Sequence, residues 1–318
     1  MLSIDDKWVW DFWLADSGGR HHVFYLQAPR SLRDPELRHH HATVGHAESA
    51  DLRSWSTLPD ALHPGPAGSW DDLAVWTGSV IRHRGRWCMA YTGISRAEGG
   101  LVQRIGVAFS DDLVTWAKHD ANPVIEADAR WYEQLDLGRW RDQSWRDPFL
   151  YQPDGTDHVH ALITARSPHG PSDGAGVIAH ARSLDLLAWE VLEPVTETGE
   201  FAQVEVPQLV RLDDSDVILF STRSEDHSNA RRARLSGTAA ATGTFALVSP
   251  SGSWRFTPSD SPVAVRADEV LYAGKLARDG DGLVFLAFRE NGTRGFVGEL
   301  TDPLPARVTP AGLRVSTT

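Results

Sequence analysis

The pattern of hydrophobic and polar positions along the chain is that of short strands. Val80-Ile-Arg-His83, the turn Arg84-Gly-Arg86 and Trp87-Cys-Met-Ala-Tyr91 predict a hairpin. Pro148–Tyr151, the turn Pro153-Asp-Gly155 and His158–Ile163 predict a second. Gln208–Leu212 with the turn 213–215 and Val217–Ser221 predict a third, and Leu271–Leu276 with Leu283–Phe288 a fourth. An N-terminal hairpin from Trp8 to Tyr25 makes five. No long helical periodicity interrupts them.

A repeat ties the hairpins together. Ser49-Ala-Asp51-Leu-Arg-Ser-Trp55, Ser110-Asp-Asp112-Leu-Val-Thr-Trp116 and Ser183-Leu-Asp185-Leu-Leu-Ala-Trp189 share the form S-x-D-L-x-x-W. Each copy follows a strand of small residues and ends on a Trp that opens another strand. The Trp spacings, 61 and 73 residues, are too long and uneven for a helical solenoid. They suit blades of four strands at about 60 residues each. The expected fold class is all-β: one five-bladed β-propeller occupying residues 1–318 as a single domain. In it Trp55, Trp116 and Trp189 pack blade against blade and say nothing of function.

Composition narrows the function classes. The net charge of -12 argues against nucleic acid as a partner. No run approaches the length of a membrane span. The start, MLSIDDKWVWDFW, has no basic segment followed by an apolar one, and Cys88 is the one cysteine. A cytoplasmic protein is therefore expected. The oligomeric state is left open. Thirteen tryptophans against five tyrosines suit either a packed core or platforms for sugar rings. His21-His22 and His39-His-His41 would, on strands, point to opposite faces, so no metal or other cofactor is expected.

Three acids stand where propeller blades open onto a central funnel: Asp11 within Trp8-Val-Trp10-Asp11-Phe-Trp13, Asp147 within Trp145-Arg146-Asp147-Pro148, and Glu205 within Gln203-Val-Glu205-Val-Pro207. An acid in an apolar strand is costly unless paired or used. Taken singly, Asp11 could cap a turn and Asp147 could pair with Arg146. Together they converge on one axis and predict a site.

The ordered motifs resemble glycoside hydrolase family 32, the invertase and fructanase family. His41 to Leu62 resembles its H-A-x-S-x-D-L-x-x-W-x-x-L-P-x-A-L stretch. Trp76-Thr-Gly-Ser79 with Tyr91-Thr-Gly93 resembles F-S-G-S and Y-T-G. Trp145–Pro148 is similar to R-D-P, Glu205-Val-Pro207 to E-C-P with Val for Cys, and Leu271-Tyr-Ala-Gly274 to F-Y-A. The opening Val9-Trp-Asp-Phe-Trp13 is closer to the V-W-D-x-W of the levansucrase family 68. The C-terminal β-sandwich usual in family 32 has no counterpart after about Val308, another likeness to family 68.

The resemblance implies Asp11 as nucleophile, Glu205 as general acid/base and Asp147 as transition-state stabiliser of a retaining β-fructofuranosidase acting on a small sugar. It further implies an ionised Asp11 whose pKa the Thr77 hydroxyl lowers, a protonated Glu205, and an Arg146 that holds Asp147. Trp10, Trp13 and Trp76 would form an aromatic wall, a role that central-channel packing would equally explain. Gln27 stands for the family's Gln. Arg223, 18 residues after Glu205, and Tyr272 would contact the sugars. Alternatives remain open: a fructosyltransferase with the same intermediate, an inverting arabinosidase or xylosidase like those of family 43, or a non-catalytic carbohydrate-binding propeller.

Overall fold

A computed structural model describes residues 1–317 apart from 213–214, 236–239, 251, 253, 255, 281, 293–294 and 310–311. The turn residues 213–214 of the third hairpin, and residue 281 between the two strands of the fourth, lie outside the described residues. Five antiparallel sheets form a β-propeller. Blade 1 runs Lys7–Ser17, Arg20–Pro29, Thr43–Ser49 and Ser56–Leu62. Blade 2 runs Ala74–His83, Arg86–Ile94, Gln103–Ser110 and Ala117–Lys118, and blade 3 Trp145–Tyr151, Val159–Arg166, Gly176–Ser183 and Trp189–Leu192. Blade 4 runs Glu205–Leu212, Ser215–Thr222, Gly243–Pro250 and Thr257–Pro258. Blade 5 runs Leu271–Asp279, Gly282–Gly292, Leu304–Thr309 and Gly312–Val315, with Gly295–Leu300 added on its second strand. The first strand of every blade touches that of the next, and the fifth touches the first. Leu2 closes the ring by bridging to Leu300 of blade 5.

The repeat is the turn between third and fourth strands. In each copy one Asp carboxylate oxygen accepts two backbone N–H groups: from Arg53 and Ser54 at Asp51, Val114 and Thr115 at Asp112, and Leu187 and Ala188 at Asp185. That closure forces the next residue into the left-handed region, with φ of 58°, 65° and 67° at Leu52, Leu113 and Leu186. Burial of these three leucines offsets the strain. Trp189 opens its strand, whereas Trp55 and Trp116 stand one residue before theirs. Trp116 packs edge-on against Phe24 of the neighbouring blade at 5.6 Å.

The first strands share a second device that the sequence does not display. Each carries one residue more than its partner strand, a β-bulge in all five blades. The extra residue falls after Trp10, Trp76, Arg146, Glu205 and Tyr272. In blades 3 to 5 the following residue is left-handed: Asp147 at φ 58°, Val206 at 55° and Ala273 at 49°. Hydroxyls of the preceding blade's second strand accept these three N–H groups: Thr92 from Asp147 at 3.0 Å, Thr164 from Val206 at 3.2 Å and Ser221 from Ala273 at 2.9 Å. Bulges at one level in every blade turn side chains of the first strands toward the axis.

Candidate active site

The bulges line a cavity of about 400 Å³ at one end of the central channel. Asp11, Asp147 and Glu205 are all in its wall, with Trp10, Trp76, Thr77, Arg146, Arg223 and Tyr272. Leu26 and Phe288, opposite the bulges of blades 1 and 5, add apolar surface.

Two expected site residues lie elsewhere. Trp13 is buried and stacks on Phe24 at 6.1 Å, on the core side of blade 1. The extra residue at Asp11 breaks the strand alternation, so that Trp10 and Asp11, successive in sequence, both line the cavity, whereas Trp13 lies further along the strand opposite Phe24. Gln27 is buried and donates from Nε2 to Thr43 Oγ1 at 3.2 Å, fastening the second strand to the third. It does not reach the cavity wall.

Asp11 receives the Thr77 hydroxyl at 2.9 Å. Its burial, the nearby Asp147 and, more weakly, Glu205 nonetheless push its pKa up to about 7, against the pull of Thr77 and Arg38. Asp147 is also raised, by burial first, with Arg146 opposing. It accepts the Thr164 hydroxyl at 2.9 Å and the Val206 N–H at 3.1 Å on one oxygen. Glu205 goes the other way. Burial would raise it, but Arg146, the Tyr272 hydroxyl and Arg223 together hold it below the ordinary carboxylate value. Arg146 Nη2 lies 2.5 Å from Glu205 Oε1, and Tyr272 donates to Oε2 at 2.6 Å. The sequence-based expectation is thus reversed for the free site. Thr77 does lower Asp11, but burial and like charge outweigh it, and Glu205 is the more readily ionised acid.

Arg146 also departs from its expected place. Its Nε is 3.6 Å from Asp147, and its tighter contacts are Glu205 and the Gln203 amide oxygen at 2.9 Å. It ties blades 3 and 4 together rather than holding its sequence neighbour.

Sequence reasoning missed Arg38, His39, Glu36, Arg141, Asp142 and Glu225, which also line the cavity. Arg38 is buried, with its guanidinium 4.2 Å over the Phe296 ring and 5.6 Å from that of Trp10. The run Arg38–His41 lies in a 3-10 segment, Pro35–His41, and not on a strand. Its backbone enters the wall: Trp76 Nε1–H donates to the His39 carbonyl at 2.6 Å. Pro35 after Asp34, whose side chain accepts the Glu36 N–H, was the available signal for that helical turn. Among the described residues no group of three or more His, Cys, Asp or Glu is arranged to hold a metal. No helix among them is long and apolar enough to cross a membrane.

Comparison with known proteins fits this architecture. The profile of the glycosyl hydrolases family 32 N-terminal domain matches residues 13–259, well over half of the chain. The chain belongs to glycoside hydrolase family 32. The match begins two residues after Asp11 and ends before Tyr272, so it includes neither. Among curated family relatives, the 6(G)-fructosyltransferase of Asparagus officinalis is 36% identical over 116 residues, covering 34% of this chain and 17% of that protein. The extracellular sucrase of Zymomonas mobilis is 23% identical across 97% of this chain and 81% of its own length. The chain thus spans about a sixth of the asparagus protein and most of the bacterial one. Of solved structures, the inulosucrase of Halalkalicoccus jeotgali bound to kestose superimposes with a TM-score of 0.80 at 20% identity, over 99% of this chain and 90% of that one. A family 32 β-fructofuranosidase of Bombyx mori gives 0.73 at 20% identity, over 100% and 64%. At these identities the likeness is one of fold.

Proposed function

We propose that this chain is a retaining glycosidase that cleaves β-fructofuranosides such as sucrose or short fructo-oligosaccharides. The observation that carries the reading is the convergence of three carboxylates from blades 1, 3 and 4 on one cavity, each held by its own hydrogen-bond set. A retaining glycosidase needs one carboxylate to attack the anomeric carbon and one acid to protonate the leaving oxygen, about 5 Å apart. Asp11 attacks and forms the fructosyl ester. Glu205 protonates the leaving oxygen and then, as base, activates the water that hydrolyses the ester. Asp147 accepts ring hydroxyls and offsets oxocarbenium charge.

The free-site electrostatics support a resting proton on Asp11. Asp11 holds it, with its pKa near 7, while Glu205 is ionised against Arg146. Catalysis needs the same proton on Glu205. The two forms are tautomers of one singly protonated cluster. A leaving-group oxygen placed between Arg146 and Glu205 weakens their ion pair and draws the proton across.

Transfer of the fructosyl group to a sugar acceptor is the second reading, since the asparagus relative is named as a fructosyltransferase. Product analysis with sucrose separates the two. Equal glucose and fructose indicate hydrolysis, glucose in excess with a larger saccharide indicates transfer, and unreacted sucrose and kestose alike would defeat the proposal.

A further inference from the structure

The chemistry proposed above leaves several buried cations unused, Lys275 among them. Lys275, three residues beyond Tyr272 on the first strand of blade 5, is 4% exposed. Its Nζ donates to the Val206 carbonyl at 2.8 Å and to the Pro207 carbonyl at 3.4 Å. Among the described residues no carboxylate lies within ion-pair distance of it. The acids that act on it through space are Asp147 and Asp11.

The peptide it holds is the one that needs holding. Val206 is β-branched and left-handed at φ 55°, a conformation that its own side chain opposes. Its N–H donates to Asp147 Oδ2 at 3.1 Å, and its carbonyl takes Lys275. It also follows Glu205 directly, so fixing both the N–H and the carbonyl of Val206 fixes the backbone from which the Glu205 side chain springs. A neutral donor would serve if the carbonyl alone had to be satisfied. The Thr92 hydroxyl does that duty in blade 2, donating to the Thr77 carbonyl at 3.0 Å. A buried ammonium is a costly substitute unless its charge is used. Burial drags the Lys275 pKa down to about 8 even though Asp147 and Asp11 pull it up.

We propose that Lys275 is a positioning residue, which clamps the left-handed Val206 peptide between Glu205 and Asp147 and supplies the positive charge that balances the acids from behind. The inference rests on the β-fructofuranosidase reading for its kinetic consequence, but not for its electrostatic one.

Lys275→Met removes donor and charge at similar length; Lys275→Gln keeps donors without charge. On sucrose, Lys275→Met should lower kcat by about 10²-fold, the scale of a misplaced catalytic group, with KM within about threefold of the parent. Its alkaline limb in kcat/KM should move up by about one pH unit, because losing a cation disfavours ionised carboxylates. Lys275→Gln should recover much of kcat yet keep the displaced limb. Unchanged kcat and limb in both variants, or a loss of melting temperature alone, would overturn the proposal, as would failure of both to fold. If the parent cleaves no fructoside, the functional reading fails separately. Carbon-13 NMR titration of the aspartates then decides: Asp11 titrating higher in Lys275→Met supports the role, and an unmoved Asp11 removes it.

Discussion

Arg146 Nη2 sits 2.5 Å from Glu205 Oε1, while the same guanidinium comes no nearer than 3.6 Å to Asp147, its neighbour in sequence. The arginine of the R-D-P segment therefore serves the acid of the next blade. This pairing decides which of three buried carboxylates ionises first. It keeps Glu205 below the ordinary carboxylate value, so that in the proposed mechanism Glu205 takes up its proton only when substrate binds.

Glu205 and Asp11 should fail differently when replaced. Asp11→Asn removes the attacking group and should lower kcat by several orders of magnitude on every substrate. Glu205→Gln should be nearly as damaging on sucrose, whose leaving alkoxide needs a proton, and far less so on a fructoside with an acidic leaving group. Asp147→Asn should depress both substrate kinds alike, because ring charge develops whatever leaves. Steady-state rates on a leaving-group series check all three. Equal losses for Glu205→Gln across the series would take it out of the acid role.

The pH profile follows from the shared proton. Activity requires the singly protonated cluster, so kcat/KM should fall as pH rises through about 7, where Asp11 gives up the last proton. Thr77→Ala removes a hydrogen bond that favours the anion. Asp11 should then titrate higher, and the alkaline limb should move upward with it. A limb that ignores Thr77→Ala would separate Asp11 from the titration.

Stability should fall in the same direction, over a lower pH range. Between about pH 4 and 7 the folded protein holds on Asp11 a proton that the unfolded chain has lost. Folding free energy therefore declines as pH rises across that window and levels off above it. Asp11→Asn removes the effect. Each tenfold difference in proton affinity between folded and unfolded chain is worth about 1.4 kcal/mol, so the variant should exceed the parent by ~2–4 kcal/mol at about pH 8 and match it near pH 4. Urea melts at the two pH values measure this, and a constant offset would contradict it.

Trp13 and Trp76 distinguish core from wall. Trp13→Leu opens space beside Phe24 and should cost about 2–4 kcal/mol of stability, with KM unaltered. Trp76→Ala, at the cavity and bonded to the His39 carbonyl, should raise KM about tenfold with a smaller stability loss. A raised KM in Trp13→Leu would return Trp13 to the site.

Local chemistry made the blades legible. The S-x-D-L-x-x-W turn closes within one Asp side chain and its following N–H groups, so its three copies mark the ends of third strands before any tertiary contact exists. Hairpin turns and strand alternation are similarly short-range. They placed Asp11, Asp147 and Glu205 at blade openings, because strand order in a propeller is sequence order. The bulges were beyond reach, since an extra residue exists only relative to a partner strand. Trp13 was expected beside Trp10 from nearness in sequence alone, and Gln27 from the resemblance, but the pairing of the strands puts Trp13 opposite Phe24 and Gln27 against Thr43. Arg38 was hidden for another reason: its place beside Asp11 depends on Pro35–His41 folding back over the channel as a helical turn. The ownership of Arg146, and with it the order of ionisation, belongs to tertiary structure alone. Neighbours in a strand share a backbone, but charges answer to distance through space, and the nearest carboxylate to Arg146 lies 59 residues away.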